Sequence, residues 1–161
     1  MKKISMLLAF VLFIGGNFLF AQEKTNSGNY IPVTKFDAAR NSQKDLEEAV
    51  KEAKKSNRKI LLDVGGDWCR WCKALDKFFE DNRDVANYMH KHYVVVKVNY
   101  SKENKNEKFL SQFPQVAGFP HLFVLNKNGK LIHSQDTGEL ESGDHHDKDK
   151  VFAFLKKWSR K

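Results

Sequence analysis

The 161-residue chain has little cysteine: Cys69 and Cys72 are the two it contains. A chain of this size with two cysteines is not a disulfide-stapled scaffold. The sequence also has no internal repeat and no long low-complexity tract, so it reads as one globular domain with extra segments at its ends. It lacks a stripe of one charge. The formal charge is +8, but the lysines of 44–59, 102–108 and 148–161 are mixed with acids. These are solvated helix faces rather than a nucleic-acid surface, although the positive balance suits acidic partner proteins or membrane surfaces. No cysteine follows the N-terminal apolar run, which excludes a lipid-modified cysteine there. What is present in normal amount is apolar residue, 41% of the chain, enough for a core.

The first residues combine Lys2 and Lys3, an apolar run over 6–14, a Gly-Gly-Asn break at 15–17, and a small residue at Ala21. This is the layout of a signal peptide over 1–21 with cleavage after Ala21. The competing reading is an uncleaved anchor, since 4–21 is almost long enough to span a membrane. The expected location is periplasmic or secreted, with anchoring by the uncleaved segment as the alternative, and thiols outside the reducing cytosol tend to become disulfides.

Residues 22–40 are polar and read as a linker or N-terminal arm. From 41 to 161 the pattern becomes regular. Ser42 and Asp45 resemble a capping box. Leu46, Ala49, Val50 and Ala53 then continue at helical spacing to about Ser56. The run at 59–64 is a buried strand ended by Gly65 and Gly66. A helix opens near Cys69, with Ala74, Leu75, Phe78 and Phe79 on its apolar face, and 84–89 forms a further turn or two. Residues 93–98 form the strongest strand. Phe109, Leu110 and Phe113 predict a helix over 103–113, stopped by Pro114. A strand at 121–125, a turn at 126–129 and a returning strand at 130–134 form a hairpin. Residues 139–149 are polar and flexible in composition, and Val151, Phe154, Leu155 and Trp158 mark a closing helix. Strands separated by helices imply parallel pairing, with the hairpin added antiparallel. The fold class is α/β: a central mixed sheet flanked by helices.

Residues 66–73 read GDWCRWCK. A structural zinc site would need two histidine partners, and His145 and His146 lack zinc-finger spacing. A purely structural bridge closing so short a loop gains little chain entropy. Two inert buried thiols remain the blandest alternative for an exported chain. The redox reading has a positive argument. Cys69 falls at a helix N-terminus, where unpaired N–H groups and the macrodipole favour a thiolate. Cys72, one turn later and more buried, can attack a mixed disulfide.

Several matches in order resemble the thioredoxin family. They are LLD at 61–63, DWCRWCK at 67–73, VKVN at 96–99, GFP at 118–120, NGK at 128–130, and Gly138. The W-C-x-W-C form is similar to small exported thioredoxin-like proteins of bacteria. The resemblance implies a thioredoxin-like fold and a thiol–disulfide oxidoreductase whose cofactor-free chemistry rests on the cysteine pair. Cys69 would be the attacking thiolate and Cys72 the resolving thiol. Asp63, raised by desolvation, would accept a proton through water, with Lys97 tuning it. The competing readings are a strand-end polar residue for Asp63 and an exposed sheet position for Lys97. Pro120 would be cis, and Phe119 would offer its backbone to an extended substrate. Trp68, Arg70 and Trp71 would line the substrate side, although core packing competes as a reading for the tryptophans, most strongly for Trp68.

The chain also departs from the family. Arg70 and Trp71 replace the usual Gly-Pro, Gly65 stands where tryptophan is common, and His121 stands where threonine is common. Arg70 favours the Cys69 thiolate, and bulky Trp71 limits access. Both bear on the direction of electron flow. His121 either relays protons or lines the pocket. Asp144, His145, His146 and Asp147 read as a solvated insertion, with weak metal binding as the lesser reading. Partners are expected to be protein thiols or disulfides and a membrane-bound electron donor, with the chain a monomer and reduction or isomerisation favoured over oxidation. The rival class is a client-binding module in which the cysteines are incidental.

Overall fold

The computed structural model describes residues 30–160. The predicted signal segment and its uncleaved alternative lie outside the described residues. Among the described residues no helix is long and apolar enough to cross a membrane.

The first helix, α1 (Ser42–Ser56), has the predicted extent but a different cap. Asn41 is the N-cap, its side chain accepting from the Lys44 N–H at 3.1 Å. Ser42 is inside the helix, and Asp45 instead takes both arms of Arg40 at 2.6 and 2.9 Å. Asn57 ends α1 in the left-handed conformation that asparagine tolerates.

Strand β1 (Lys59–Gly65) is central, paired in parallel with β2 (Tyr93–Asn99) and antiparallel with β3 (His121–Leu125). Strand β4 (Leu131–Asp136) completes the order β2-β1-β3-β4. Two helices lie between β1 and β2, α2 (Arg70–Asp81) and α3 (Arg83–His92), the second a full helix rather than one or two turns. The closing helix is α5 (Lys148–Arg160).

Side chains alternate across β1. Ile60, Leu62 and Val64 pack with Leu46 and Ala49 of α1, while Leu61 packs with Leu75, Val85 and Leu155 of α2, α3 and α5. The sheet is therefore covered on both faces, and β1 is buried from Ile60 to Gly65.

One prediction fails here for an identifiable reason. The helix expected over 103–113 shrinks to α4 (Glu107–Leu110). Asparagines displace the rest of it: Asn99 Nδ2 donates to Ser101 Oγ and the Asn104 carbonyl, and Asn106 Nδ2 donates to the Asn99 carbonyl. Such side-chain bonds compete directly with helix formation. Strand β3 is antiparallel to β1, as expected for a hairpin added antiparallel to the sheet. Strand β2 ends with Asn99 opposite Gly65, and β3 starts with His121 opposite Val64, at the same end of the sheet.

The polar segment 139–149 is ordered. It forms a 3₁₀ turn (Thr137–Leu140) and a small hairpin of β5 (Glu141–Ser142) and β6 (His145–His146). His145 is exposed and His146 is buried, as strand alternation demands. The segment 30–40 is mostly exposed but is anchored by buried Val33 and Phe36. Val33 bridges Val96, and its carbonyl accepts from the Lys97 N–H, covering the open edge of β2.

Candidate functional site

The strand-turn-helix connection from β1 to α2 carries the cysteines. Cys69 is the N-cap of α2, and its Sγ accepts from the Cys72 N–H at 3.1 Å. This is the bond a serine or aspartate cap would make, with sulfur in place of oxygen. Once reduced, the same atom lies where the helix terminus stabilises an anion by about 0.3–1 kcal/mol, and nearer ~2 in partly buried geometry. Cys69 and Cys72 are joined in a disulfide with their Cα atoms 5.2 Å apart. Both are buried, Cys72 the more deeply.

Two glycines make the close packing feasible. A Cβ on Gly65 would lie 2.5 Å from Cys72 Sγ, and one on Gly66 would lie 2.6 Å from Trp68 Nε1. The absence of a side chain at Gly65 is what allows Cys72 to seat against β1. Phe36 from the N-terminal arm closes the other side of the pair.

Asp63 and Gly65 share a face of β1, two residues apart, so Asp63 lies about 7 Å along the strand from the Cys72 seat. Asp63 is buried, and burial pushes its carboxyl above the ordinary range, against the pull of Lys97. Lys97 Nζ donates to Asp63 Oδ2 at 2.8 Å and to Asp76 Oδ1 at 2.5 Å, and lies 4.2 Å from the Phe36 ring centre. Burial works against the Lys97 charge, but the two carboxylates outweigh it and hold the amine protonated. Asp63 Oδ1 has no hydrogen-bond partner among the described residues. Asp63, Lys97 and Asp76 border a cavity of about 480 Å³ that extends to Tyr30, Arg83 and His90. Lys97 is thus an internal ion-pair partner rather than an exposed sheet position.

The Phe119–Pro120 peptide is cis, and the Phe119 carbonyl oxygen lies 3.5 Å from Cys69 Sγ. Thr137 Oγ1 donates to the Pro120 carbonyl at 2.6 Å and holds the loop from behind. Trp68 is 59% exposed, which overturns the core-packing reading. Its Nε1 donates to the Tyr100 carbonyl at 2.6 Å, and its ring meets Phe119 edge-on at 5.8 Å. Tyr100 stacks on Phe119 with ring centres 4.6 Å apart. Arg70 is exposed and Trp71 half-buried.

The structure therefore brings Cys69, Cys72, Trp68, Arg70, Trp71, Phe119 and Pro120 to one end of the sheet, with Asp63 and Lys97 beneath. His121 does not join them. It shares a face of β3 with Phe123, whose ring is 4.7 Å away, and its Nε2 is 2.8 Å from Ser134 Oγ. That face packs on α1, opposite the face bearing Asp63. Burial lowers the affinity of His121 for a proton.

Sequence reasoning missed Phe36, Asp76, Tyr100 and His146. Asp76 had a signal, since it follows Cys72 by four residues and so shares its helix face. The other three are placed only by chain segments that are distant in sequence. Among the described residues no cluster of His, Cys, Asp and Glu is arranged to hold a metal ion.

Comparison with known proteins agrees with this architecture. The thiol:disulfide interchange protein DsbD of Actinobacillus pleuropneumoniae is 26% identical over 146 residues, covering 88% of this chain and 25% of that protein. DsbD of Klebsiella pneumoniae is 29% identical over 86 residues, 53% of this chain and 14% of that protein. The chain thus spans a quarter or less of the length of these two relatives. Among solved structures, a disulphide isomerase from Xylella fastidiosa superposes with a TM-score of 0.66 at 24% identity, covering 79% of this chain and 97% of that one. The oxidised C-terminal domain of Neisseria meningitidis DsbD gives 0.55 at 16% identity, covering 77% and 98%. At these identities the superpositions speak to the fold. The family described as thioredoxin-like matches residues 40–127, more than half of the sequence and the whole stretch from α1 through the cysteine pair to β3. By motif order, sheet topology and this match, the chain belongs to the thioredoxin-like family.

Proposed function

We propose that this chain is an exported thiol–disulfide oxidoreductase acting on protein thiols and disulfides. The observation that carries the reading is the position of Cys69 Sγ. It caps α2, accepts the Cys72 N–H, and faces the Phe119 carbonyl at the cis-Pro120 loop.

In the reducing direction the Cys69 thiolate attacks a substrate disulfide. One substrate sulfur leaves as a thiolate and the other stays bonded to Cys69. Cys72 then gives its proton to the Asp63 carboxylate through water, attacks the Cys69 sulfur, and expels the second substrate thiolate. Two electrons pass to the substrate, and the Cys69–Cys72 disulfide remains. The exchange itself needs no group beyond the cysteine pair. Regeneration takes two electrons from a donor, which for an exported protein is a membrane-bound one. The carboxylates around Lys97 favour a reductant or isomerase over an oxidant, because negative charge beneath the pair disfavours thiolate at Cys72 until substrate is engaged.

The test is the reduction potential of the couple in a glutathione series, read by tryptophan fluorescence. A value near about −270 mV supports a reductant and one near about −120 mV an oxidant. Inability to cycle between dithiol and disulfide rejects the reading. Exposed Trp68, with half-buried Phe119 and Tyr100 beside it, favours one alternative, a client-binding module. Full activity of Cys69→Ser would establish that alternative.

A further inference from the structure

His146 is a buried titratable group beside the cysteine pair that the exchange scheme leaves unused. It is 4% exposed, although it belongs to the polar β5–β6 hairpin. Its ring meets Trp71 edge-on at 5.5 Å and Phe78 at 6.2 Å. Its Nε2 lies 3.4 Å from the Trp71 carbonyl oxygen, and its Nδ1 has no partner among the described residues. A carbonyl can only accept, so Nε2 carries the hydrogen. Burial keeps the ring neutral, against the Trp71 carbonyl and the charges of Glu141 on β5 and Asp63 on β1, with His145 opposing protonation.

Trp71 lies between the two cysteines, so its backbone is part of the ring that the disulfide closes. Breaking the S–S bond opens that ring and removes one restraint on the first turn of α2, to which Arg70 and Trp71 belong. A contact that holds Trp71 in the closed arrangement therefore interacts differently with the two redox states, and only a differential contact can shift their equilibrium. We propose that His146 is a positioning residue for the Cys69–Cys72 couple, clamping Trp71 by its carbonyl and its ring so that the β5–β6 hairpin favours the disulfide state. This rests on the reading of the chain as a thiol–disulfide oxidoreductase. The balanced exchange is one protein disulfide plus two glutathione thiols giving one protein dithiol plus glutathione disulfide.

The experiment equilibrates the full chain with glutathione buffers, quenches with acid, alkylates, and counts free thiols by mass spectrometry. His146→Phe keeps a ring but no donor, and it should shift the equilibrium toward the dithiol about threefold or more. His146→Gln keeps an N–H donor and should return most of the way to wild type. Wild type that exchanges with the same constant as His146→Phe overturns the inference alone, and a glutamine variant as shifted as the phenylalanine variant overturns the carbonyl clamp. Wild type that does not exchange at all overturns the proposed function and this inference with it. A readout on wild type needs no substitution. The imidazole N–H resonance of His146 in ¹⁵N-labelled protein should move between the oxidised and reduced forms, and an identical resonance in both overturns the clamp.

Discussion

Gly65 and Cys72 are packed so tightly that a Cβ on Gly65 would lie 2.5 Å from the Cys72 sulfur, with Phe36 a further 3.2 Å contact. The sulfur is tethered in a disulfide and cannot swing away cheaply. Gly65→Ala should therefore destabilise the oxidised protein by about 1–3 kcal/mol, the range for overpacking a well-filled site. Urea unfolding of oxidised wild type and variant measures this, and superimposable curves would show that the glycine is dispensable.

Asp63 predicts an unusual pH dependence. Its folded-state pKa is raised above the ordinary carboxylate value by burial. The folded protein thus holds this proton more tightly than the unfolded chain. As pH rises from the ordinary Asp range through the folded pKa, the Asp63 contribution to stability falls, and above it the loss is complete. Asp63→Asn cannot ionise and escapes the loss. Its stability relative to wild type should rise as the pH climbs from the ordinary Asp range, until the folded Asp63 carboxyl has ionised. A difference that is flat, or that falls with pH, contradicts the raised carboxyl.

The same substitution should slow the second half of exchange. Without a proton acceptor beneath Cys72, release of the mixed disulfide should drop by about 10²–10⁴-fold, the usual contribution of a positioned acid or base. The first attack by Cys69 should change far less. Stopped-flow fluorescence with a disulfide-bonded peptide separates the two phases, and equal slowing of both would remove Asp63 from the resolving step.

Cys72→Ser should accumulate a one-to-one covalent adduct with a disulfide-containing protein, because Cys69 still attacks while nothing resolves the bond. Cys69→Ser should form none. Intact-mass spectrometry after acid quench reads both results. Adducts on Cys72 in the Cys69→Ser protein would reverse the assigned roles.

Trp68 is largely exposed and should act on substrate rather than on stability. Trp68→Ala should raise KM for a protein substrate about tenfold, a typical loss for an exposed aromatic anchor. Exchange with glutathione, too small to span the Phe119 rim, should be nearly unchanged. Equal loss with both substrates would instead assign Trp68 to the chemistry.

Much of this was written in local sequence. The α2 apolar face, the β-branched run of β2 and the Cys69–Cys72 spacing determine a strand-turn-helix with a thiol at a helix N-terminus. All three depend on residues a few positions apart. The sequence alone also placed Asp63 in an apolar strand, which is sufficient to expect an elevated carboxyl. Tertiary packing decided the remainder. Asparagine side chains around Asn104 took the bonds a longer α4 would have used. Phe36, Tyr100 and His146 came to the cysteines from three distant segments. His121 was turned to the opposite face by the alternation of β3. Periodicity and spacing carry information over one or two turns, whereas these placements depend on which surfaces meet when the sheet is covered. That is why a polar stretch such as 139–149 hid a buried histidine beside the tryptophan between the two thiols.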